Sequence, residues 1–322
     1  VREVKIGFIG CGGNARWHMN TVKGLEGARI VAVCDVVEEL ARKAGEACAA
    51  EVYTNHKKML ERDDLDAVYI SIPVFAHGEP ELDVIERGLP FLVEKPVARD
   101  LETARRVQEA VEKKNLLTCV GYQLRYLGST DAAKEILEKE TVGMVVGKYW
   151  SGSGRGNPGA WIRQMAKSGG QLVEQATHTI DMMRYLVGEI TEVYCVQASR
   201  ILKEIDCPDM NAVAFKFANG AIGSLSATWA YDNRDWSHAN VLDILIDERF
   251  VHWDGGRTVV YGRGEPQEYK RPDRTIDEVF VEAVRTHNPA LIRSPYSDGV
   301  KTLALTLAMN ESASKGVPIP LE

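Results

Sequence analysis

None of the six cysteines, Cys11, Cys34, Cys48, Cys119, Cys195 and Cys207, stands in a C-x-x-C pair or at a metal-ligand spacing, and six in 322 residues is far below the density of a disulfide scaffold. The expected setting is a reducing one, the cytoplasm. The seven histidines include no H-E-x-x-H, so no metal site is expected. No run reaches the roughly 18 apolar residues of a membrane span, and with the first glycine turn so early no signal peptide is expected. Positive charge is in deficit as well. Against 46 Asp and Glu stand 39 Lys and Arg, a net charge of -7, which offers no general attraction to nucleic acid or to an anionic membrane. The remainder, 45% hydrophobic and 26% charged, is an ordinary globular composition with length enough for two cores. A neutral or weakly charged small molecule is the partner that suits this balance.

What is present is concentrated in Ile6 to Asp35, IGFIGCGGNARWHMNTVKGLEGARIVAVCD. An apolar strand runs into a glycine-rich turn, a helix-compatible stretch from Asn14 to Leu25, a second strand and a terminal acid. Gly10, Gly12 and Ala15 fit G-x-G-x-x-A, in which small residues let the backbone turn tightly and approach a pyrophosphate that the helix N–H groups then face. Asp35 lies twenty residues beyond Ala15, where a carboxylate can accept hydrogen bonds from an adenosine ribose. A purely structural turn is the competing reading, and the flanking strand and helix favour dinucleotide binding. Asp35 would repel a 2′-phosphate and Val36 and Val37 supply no cation, so NAD is expected over NADP.

Beyond Asp35 the alternation continues with a helix from Val37 to Ala49, a strand at Ala67 to Ser71, a helix at Glu79 to Glu86 and a strand at Phe91 to Val93. Asp100 is placed to cap a helix whose Leu101, Ala104, Val107 and Val111 form an apolar face, and Leu117 to Val120 returns to strand character. A Rossmann domain over 1–121 follows. From 122 to 322 the rhythm changes to long strands at Met144 to Trp150, Ile190 to Ile201, Met210 to Phe217, Ala221 to Trp229 and Val241 to Ile246, which favours a large, mostly antiparallel open sheet. Asn219-Gly220 has the chemistry of a tight hairpin, Thr275 and Glu278 that of a capping box, and Gly316 can end the last helix. Gly152 to Gly159 lacks a following Lys-Ser or Lys-Thr and is expected to be a mobile connection rather than a phosphate cradle. One face of an open sheet needs a cover, so a homo-oligomer, dimer or tetramer, is expected, with Val213, Phe215 and Phe217 offered either to that contact or to the core.

Glu94-Lys95-Pro96 directly follows the Phe91 to Val93 strand, at the carboxyl edge where open α/β sheets bind ligands. Taken alone, E-K-P reads as a solvated turn or as a lysine held at the crevice. The order GFIGCGGNARWH, DAVYISIP with His77, FLVEKPVARDLETA, GYQLRY, SGGQLVEQATHTIDMMRYLVGE and SPYSDGVKTLALTLAMNESASKG resembles the Gfo/Idh/MocA family of oxidoreductases over nearly the whole chain. The resemblance implies that Lys95 and His178 act beside the nicotinamide, with Glu174 as a third catalytic residue. It extends the cofactor-binding set from Gly10, Gly12, Ala15 and Asp35 to Gly13, Asn14, Ser71, Ile72, Pro73, His77, Glu94, Lys95 and Gln123. If Glu174 to Val187 is one helix, Glu174, His178 and Asp181 share a face opposite Ala176, Ile180, Met183 and Val187, a face that could equally be merely solvated.

The chain departs from the commonest family pattern in having Glu174 where aspartate is usual, Ala176 where glycine is frequent, and Gln171 in place of a third glycine after Gly169-Gly170. Arg125, Trp161 and Arg163 join Lys95, Glu174 and His178 as expected substrate contacts, with Lys167 and the stretch Tyr231 to His238 as weaker candidates. The implied reaction is NAD-dependent hydride transfer between nicotinamide and a sugar, cyclitol or related polyol, with His178 taking the hydroxyl proton and Lys95 holding the reacting oxygen. Two alternatives use the same motifs: a redox-neutral sugar-modifying enzyme that oxidises transiently with bound NAD, and a non-catalytic NAD- or sugar-binding regulator.

Overall fold

The computed structural model describes residues 2–232 and 239–321. Short runs form β1 (Val4–Ile9), β2 (Ala28–Cys34), β3 (Glu51–Tyr53), β4 (Ala67–Ile70), β5 (Phe91–Val93) and β6 (Thr118–Val120), mostly apolar and buried except for the exposed edge strand β3. Between them run α1 (Gly13–Lys23), α2 (Glu38–Cys48), α3 (His56–Leu60), α4 (Glu79–Glu86) and α5 (Leu101–Lys114). All pairings are parallel and the order is β3-β2-β1-β4-β5-β6. The chain therefore winds outward in both directions from β1 and β4, leaving a crevice at their carboxyl ends. Asp100 caps α5 by accepting the Thr103 N–H at 2.9 Å.

The next elements are α6 (Gly128–Leu137), β7 (Met144–Trp150), α7 (Met165–Ser168), α8 (Gly170–Glu174) and α9 (Thr177–Leu186). They are followed by β8 (Ile190–Ala198), β9 (Met210–Phe217), β10 (Ile222–Thr228), β11 (Asn240–Ile246), β12 (Arg249–Trp253), β13 (Thr258–Tyr261) and β14 (Gln267–Tyr269). Then come α10 (Ile276–Thr286), α11 (Tyr296–Lys315) and β15 (Ile319–Pro320). The second sheet has nine strands in the order β14-β13-β12-β11-β7-β10-β9-β8-β15, antiparallel throughout except for β7 with β10. At the β9–β10 hairpin Gly220 takes a left-handed φ of 89° and the Asn219 side chain accepts the Ala221 N–H.

Alternation sorts this sheet into two faces. Val145 and Tyr149 of β7, Val213, Phe215 and Phe217 of β9 and Leu225 of β10 point inward, where Leu172, Ala176, Ile180 and Met183 of α8, α9 and the turn between them meet them. Val213, Phe215 and Phe217 are thus core residues, 3%, 3% and 4% exposed, and not part of an intermolecular face. Met144, Val146, Trp150, Tyr194, Val196, Ile222 and Leu245 face the other way and are exposed. The register aligns Leu245, Met144 and Ile222 across β11, β7 and β10.

The chain divides into two compact units, and the division differs from the simple break after residue 121 that the sequence suggested. The first unit extends to Tyr122 and also contains Thr275–Val300, while the second comprises Gln123–Arg274 and the segment from Lys301. The capping box at Thr275 and Glu278 starts α10, which packs on α1 and β1 within the first unit. That return is a long-range contact with no local signature. Only the helix start was legible.

Candidate active site

Gly10 has a φ of +94°, and a Cβ built there would lie 2.0 Å from the Ser71 carbonyl oxygen. Only glycine lets the end of β1 pass so close to the segment following β4, which brings Ser71 and Ile72 against the loop. At Gly12 and Gly13 a Cβ would meet nothing within 4 Å, so the loop opens into free space there. The N-terminus of α1 behind it carries no side-chain cap and no acidic residue in its first turn, with Asn14 exposed and Ala15 wholly buried. These features fit a dinucleotide pyrophosphate. The Asp35 carboxylate ties the site together, accepting the Cys11 N–H on Oδ2 and the Val37 N–H on Oδ1, both at 2.8 Å. A carboxylate has about four lone-pair sites, so capacity remains for ribose hydroxyls. Val36 is 90% exposed and brings no charge, while Arg16 and Lys43 line a neighbouring cavity of about 310 Å³ with Cys11.

Pro73 leads into a single 3-10 turn that delivers His77, whose Nδ1 meets Glu81 at 2.5 Å while the other Glu81 oxygen takes the Gly78 N–H. At the end of β5, Glu94 and Lys95 are each 7% exposed, and the Lys95–Pro96 peptide is cis. E-K-P is therefore not a solvated turn. The Glu94 carboxylate accepts the Lys95 backbone N–H on Oε2, and His18 of α1 reaches Oε1 at 3.0 Å. The other imidazole nitrogen, Nδ1, lies 2.7 Å from Asp277 of α10. Burial acts to discharge His18, but hydrogen bonds to Asp277 and Glu94 and their charges outweigh it, pushing its pKa up from 6.5 to about 9. For Glu94, burial raises the carboxyl, and the His18 bond with the His18 and Lys95 charges more than offsets it, so its pKa falls below the ordinary value.

In the second unit the sequence's single helix over Glu174 to Val187 is broken. Gly169 and Gly170 both take left-handed φ values, 74° and 78°, before α8, and α8 ends at Glu174 with Gln175 at φ -119°. His178 lies in the first turn of α9. Glu174 and His178 are 6% and 4% exposed, and Asp181 is 1% exposed, so the expected polar face is buried rather than solvated. Asp181 holds Arg125 in a two-pronged ion pair, Nε to Oδ2 at 2.8 Å and Nη2 to Oδ1 at 2.6 Å, and also accepts the Thr302 hydroxyl. Arg125 is thus engaged one turn beyond His178, where it anchors α9. Removing one partner of such a buried pair typically costs about 3–5 kcal/mol.

Arg163 is also engaged. Its guanidinium donates to the carbonyls of Ser153, Gly154, Arg155 and Asn157, wrapping the glycine-rich segment around itself. The segment expected to be a mobile connection is a clamped loop, with Trp161 half-buried at its exit. Gln171, in place of the usual glycine, is buried and accepts a hydrogen bond from Asn211 of β9. Gln123 opens a 3-10 turn and is half-buried. Of the stretch Tyr231 to His238, residues 233–238 lie outside the described residues.

Two family models match in succession. Residues 4–122 match the Gfo/Idh/MocA oxidoreductase family, NAD-binding Rossmann fold, and residues 130–253 match the Gfo/Idh/MocA C-terminal domain. The chain belongs to the Gfo/Idh/MocA family. Among Gfo/Idh/MocA relatives, the myo-inositol 2-dehydrogenase of Thermotoga maritima is 27% identical over 342 aligned positions, covering 99% of each chain. The levoglucosan dehydrogenase of Pseudarthrobacter phenanthrenivorans is 29% identical over 226 residues, but the match spans only 61% of this chain and 58% of that enzyme. A levoglucosan dehydrogenase solved with NADH and L-sorbose superposes with a TM-score of 0.89 over all of both chains at 20% identity, a likeness that speaks for the fold.

His18 and Asp277 did not stand out in the sequence, although a signal existed: His18 falls on the buried stripe of α1 with Ala15, Met19 and Val22. Because the folded pKa of His18 lies above its ordinary 6.5, its contribution to stability is full below about 6.5 and is lost as pH rises through about 9. The destabilisation caused by His18→Gln should therefore shrink between those pH values. Denaturant unfolding of both proteins at several pH values checks this, and a pH-independent difference would contradict a charged His18.

Proposed function

We propose that this chain is an NAD-dependent dehydrogenase that oxidises a CH–OH group of a sugar, cyclitol or related polyol. The observation that carries the reading is Lys95, an ammonium only 7% exposed at the carboxyl end of β5, in the same sheet as the Gly10 loop. The inositol and levoglucosan dehydrogenases among the relatives support the substrate class. Gly10, Gly12, Gly13, Asn14 and Ala15 hold the pyrophosphate and Asp35 the adenosine ribose, with Ser71, Ile72, Pro73, His77, Glu94 and Gln123 completing the cofactor contacts. NAD, when bound, supplies the hydride acceptor. Lys95 donates to the reacting oxygen and offsets the charge that develops on it, His178 accepts the hydroxyl proton at an imidazole nitrogen, and Glu174 orients that imidazole. Trp161 shapes the substrate side. Arg125 and Arg163, expected as substrate contacts, act through the helix and loop they anchor.

Cofactor choice falls to NAD because the Asp35 carboxylate would face a 2′-phosphate with like charge. Replacing Asp35 with Ser and Val36 with Arg should weaken NAD binding and improve NADP binding, measured as dissociation constants for both. Because Asp35 also holds the Cys11 N–H, the double variant should lose NAD affinity by more than the ribose contact alone explains. An unchanged preference would mean that Arg16 and Lys43, or another contact, governs selection.

None of the six cysteines forms a disulfide, and burial pushes the Cys11, Cys195 and Cys207 thiols up to about 12, which suits an enzyme of the reducing cytoplasm. The exposed sheet face of Met144, Val146, Tyr194, Val196, Ile222 and Leu245 fits a second copy of this chain, giving a homodimer or a tetramer built from it. Light scattering at micromolar concentration should report the oligomer, and Val146→Arg should dissociate it. A fully active wild-type monomer would defeat this assignment.

The three acting side chains separate by kinetics. His178→Ala should lower kcat by roughly 100-fold or more with NAD affinity preserved. Lys95→Met should lower turnover and raise KM together. Glu174→Gln should lower kcat and move the acid limb of the pH profile to lower pH, since His178 loses an anion that favours its protonated form. Hydride transfer by His178→Ala at the wild-type rate across pH would overturn the proton-acceptor role.

A further inference from the structure

The proposed chemistry uses the Lys95 ammonium and leaves unexplained the charged cluster beneath it. His18 is 0% exposed, as is the Asp277 side chain, and the Glu94 side chain is 9% exposed. Three distant segments, α1, the end of β5 and the first turn of α10, converge to build this cluster. Its chemistry constrains its protonation. Both imidazole nitrogens face carboxylate oxygens, at 2.7 Å and 3.0 Å, and a neutral ring has only one N–H to donate. With both carboxyls ionised, the two bonds are made together only by an imidazolium, which is also what two buried carboxylates require as counter-charge.

Glu94 is held on its remaining sides as well. Its Oε2 accepts the Lys95 backbone N–H at 3.1 Å, and a Cβ at Gly121 would sit 3.0 Å from the carboxylate. The groups facing the imidazole are Asp277 from α10, Glu94 from the end of β5, the Tyr69 ring from β4 at 5.5 Å and the neighbouring Trp17, with Lys95 acting on Glu94. The Glu94 carboxylate is thus the joint between a buried cation and the residue that carries Lys95.

We infer that His18 and Asp277 are positioning residues for Lys95, clamping Glu94 so that the backbone carrying the lysine is held in one place. The inference rests on Lys95 being the group that contacts the reacting oxygen. It also gives α1 a second task, since the helix whose first turn follows the glycine loop carries, five residues further on, the clamp for Lys95. Removal of His18 leaves Glu94 and Asp277 without their shared cation, and the nearest remaining cation to Glu94 is then Lys95, which is drawn toward the carboxylate.

Competitive acetylation of the full chain at trace reagent, read residue by residue by mass spectrometry, reports the reactivity of Lys95 against the exposed Lys57 and Lys58. In His18→Gln the relative rate at Lys95 should fall by about threefold or more, whereas in Glu94→Gln, which removes the attracting charge, it should rise. Opposite signs are not produced by general loosening. Nitrogen NMR of the histidine rings in the wild type should show His18 carrying protons on both nitrogens at neutral pH, and in Asp277→Asn it should lose one at lower pH than in the wild type. If His18→Gln does not fold, the wild-type spectrum and the Glu94→Gln labelling decide. A neutral His18 ring at neutral pH, or an unchanged Lys95 rate in folded variants, would overturn the positioning role. The labelling needs neither substrate nor cofactor, so its failure is separate from a failure of the dehydrogenase reading, which turnover detects.

Discussion

A Cβ at residue 10 would lie 2.0 Å from the Ser71 carbonyl oxygen, and the dinucleotide end of the molecule depends on that steric constraint. Because nothing projects from Gly10, β1 and the segment after β4 converge. The chain can then turn at Gly12, leave open space beside Gly12 and Gly13, and enter α1 with its first N–H groups uncapped. Asp35 secures the turn from the neighbouring strand through the Cys11 N–H. Backbone geometry and helix polarity thus combine into a site that fits an anion, beside the carboxylate proposed to hold a ribose, with the chemical groups supplied elsewhere.

The residues that support those groups are ionisable, buried and paired with opposite charge. His18 lies between Asp277 and Glu94, and Arg125 forks onto Asp181. Charges buried in this way contribute little net stability but hold geometry closely, because loss of either partner strands the other. In the first unit the geometry so held is the backbone of Lys95. In the second it is α9, the helix of His178. The roles proposed for His178 as proton acceptor and Lys95 as donor to the reacting oxygen require positions held to within a few tenths of an ångström, a requirement that rigid, charge-locked supports serve.

Local chemistry explains what could be read from the sequence. The glycine loop, the strand alternation, the Asp100 cap, the Asn219-Gly220 hairpin and the Thr275–Glu278 box depend on residues within a few positions of one another, and they took the expected form. The break at Gln175–Ala176 escaped detection because the apolar spacing of Ala176, Ile180, Met183 and Val187 is continuous across it. The partners of Arg125 and Arg163, Asp181 and the carbonyls of residues 153–157, could not be read from the sequence because they are set by tertiary folding. The return of residues 275–300 to the first unit, and with it the pairing of Asp277 with His18, depends on a contact across most of the chain. β12 to β14, short strands separated by polar turns, carried too weak an alternation to register.

Removal of hydride from a polyol carbon by this chain can be followed as NADH absorbance when the NAD-loaded wild-type protein is mixed with inositols, hexoses and anhydrosugars in a single turnover. NADH should rise with at least one of these, more slowly when the reacting carbon carries deuterium in place of hydrogen. Tight NAD binding with no reduction, transient or lasting, across the whole set would contradict it.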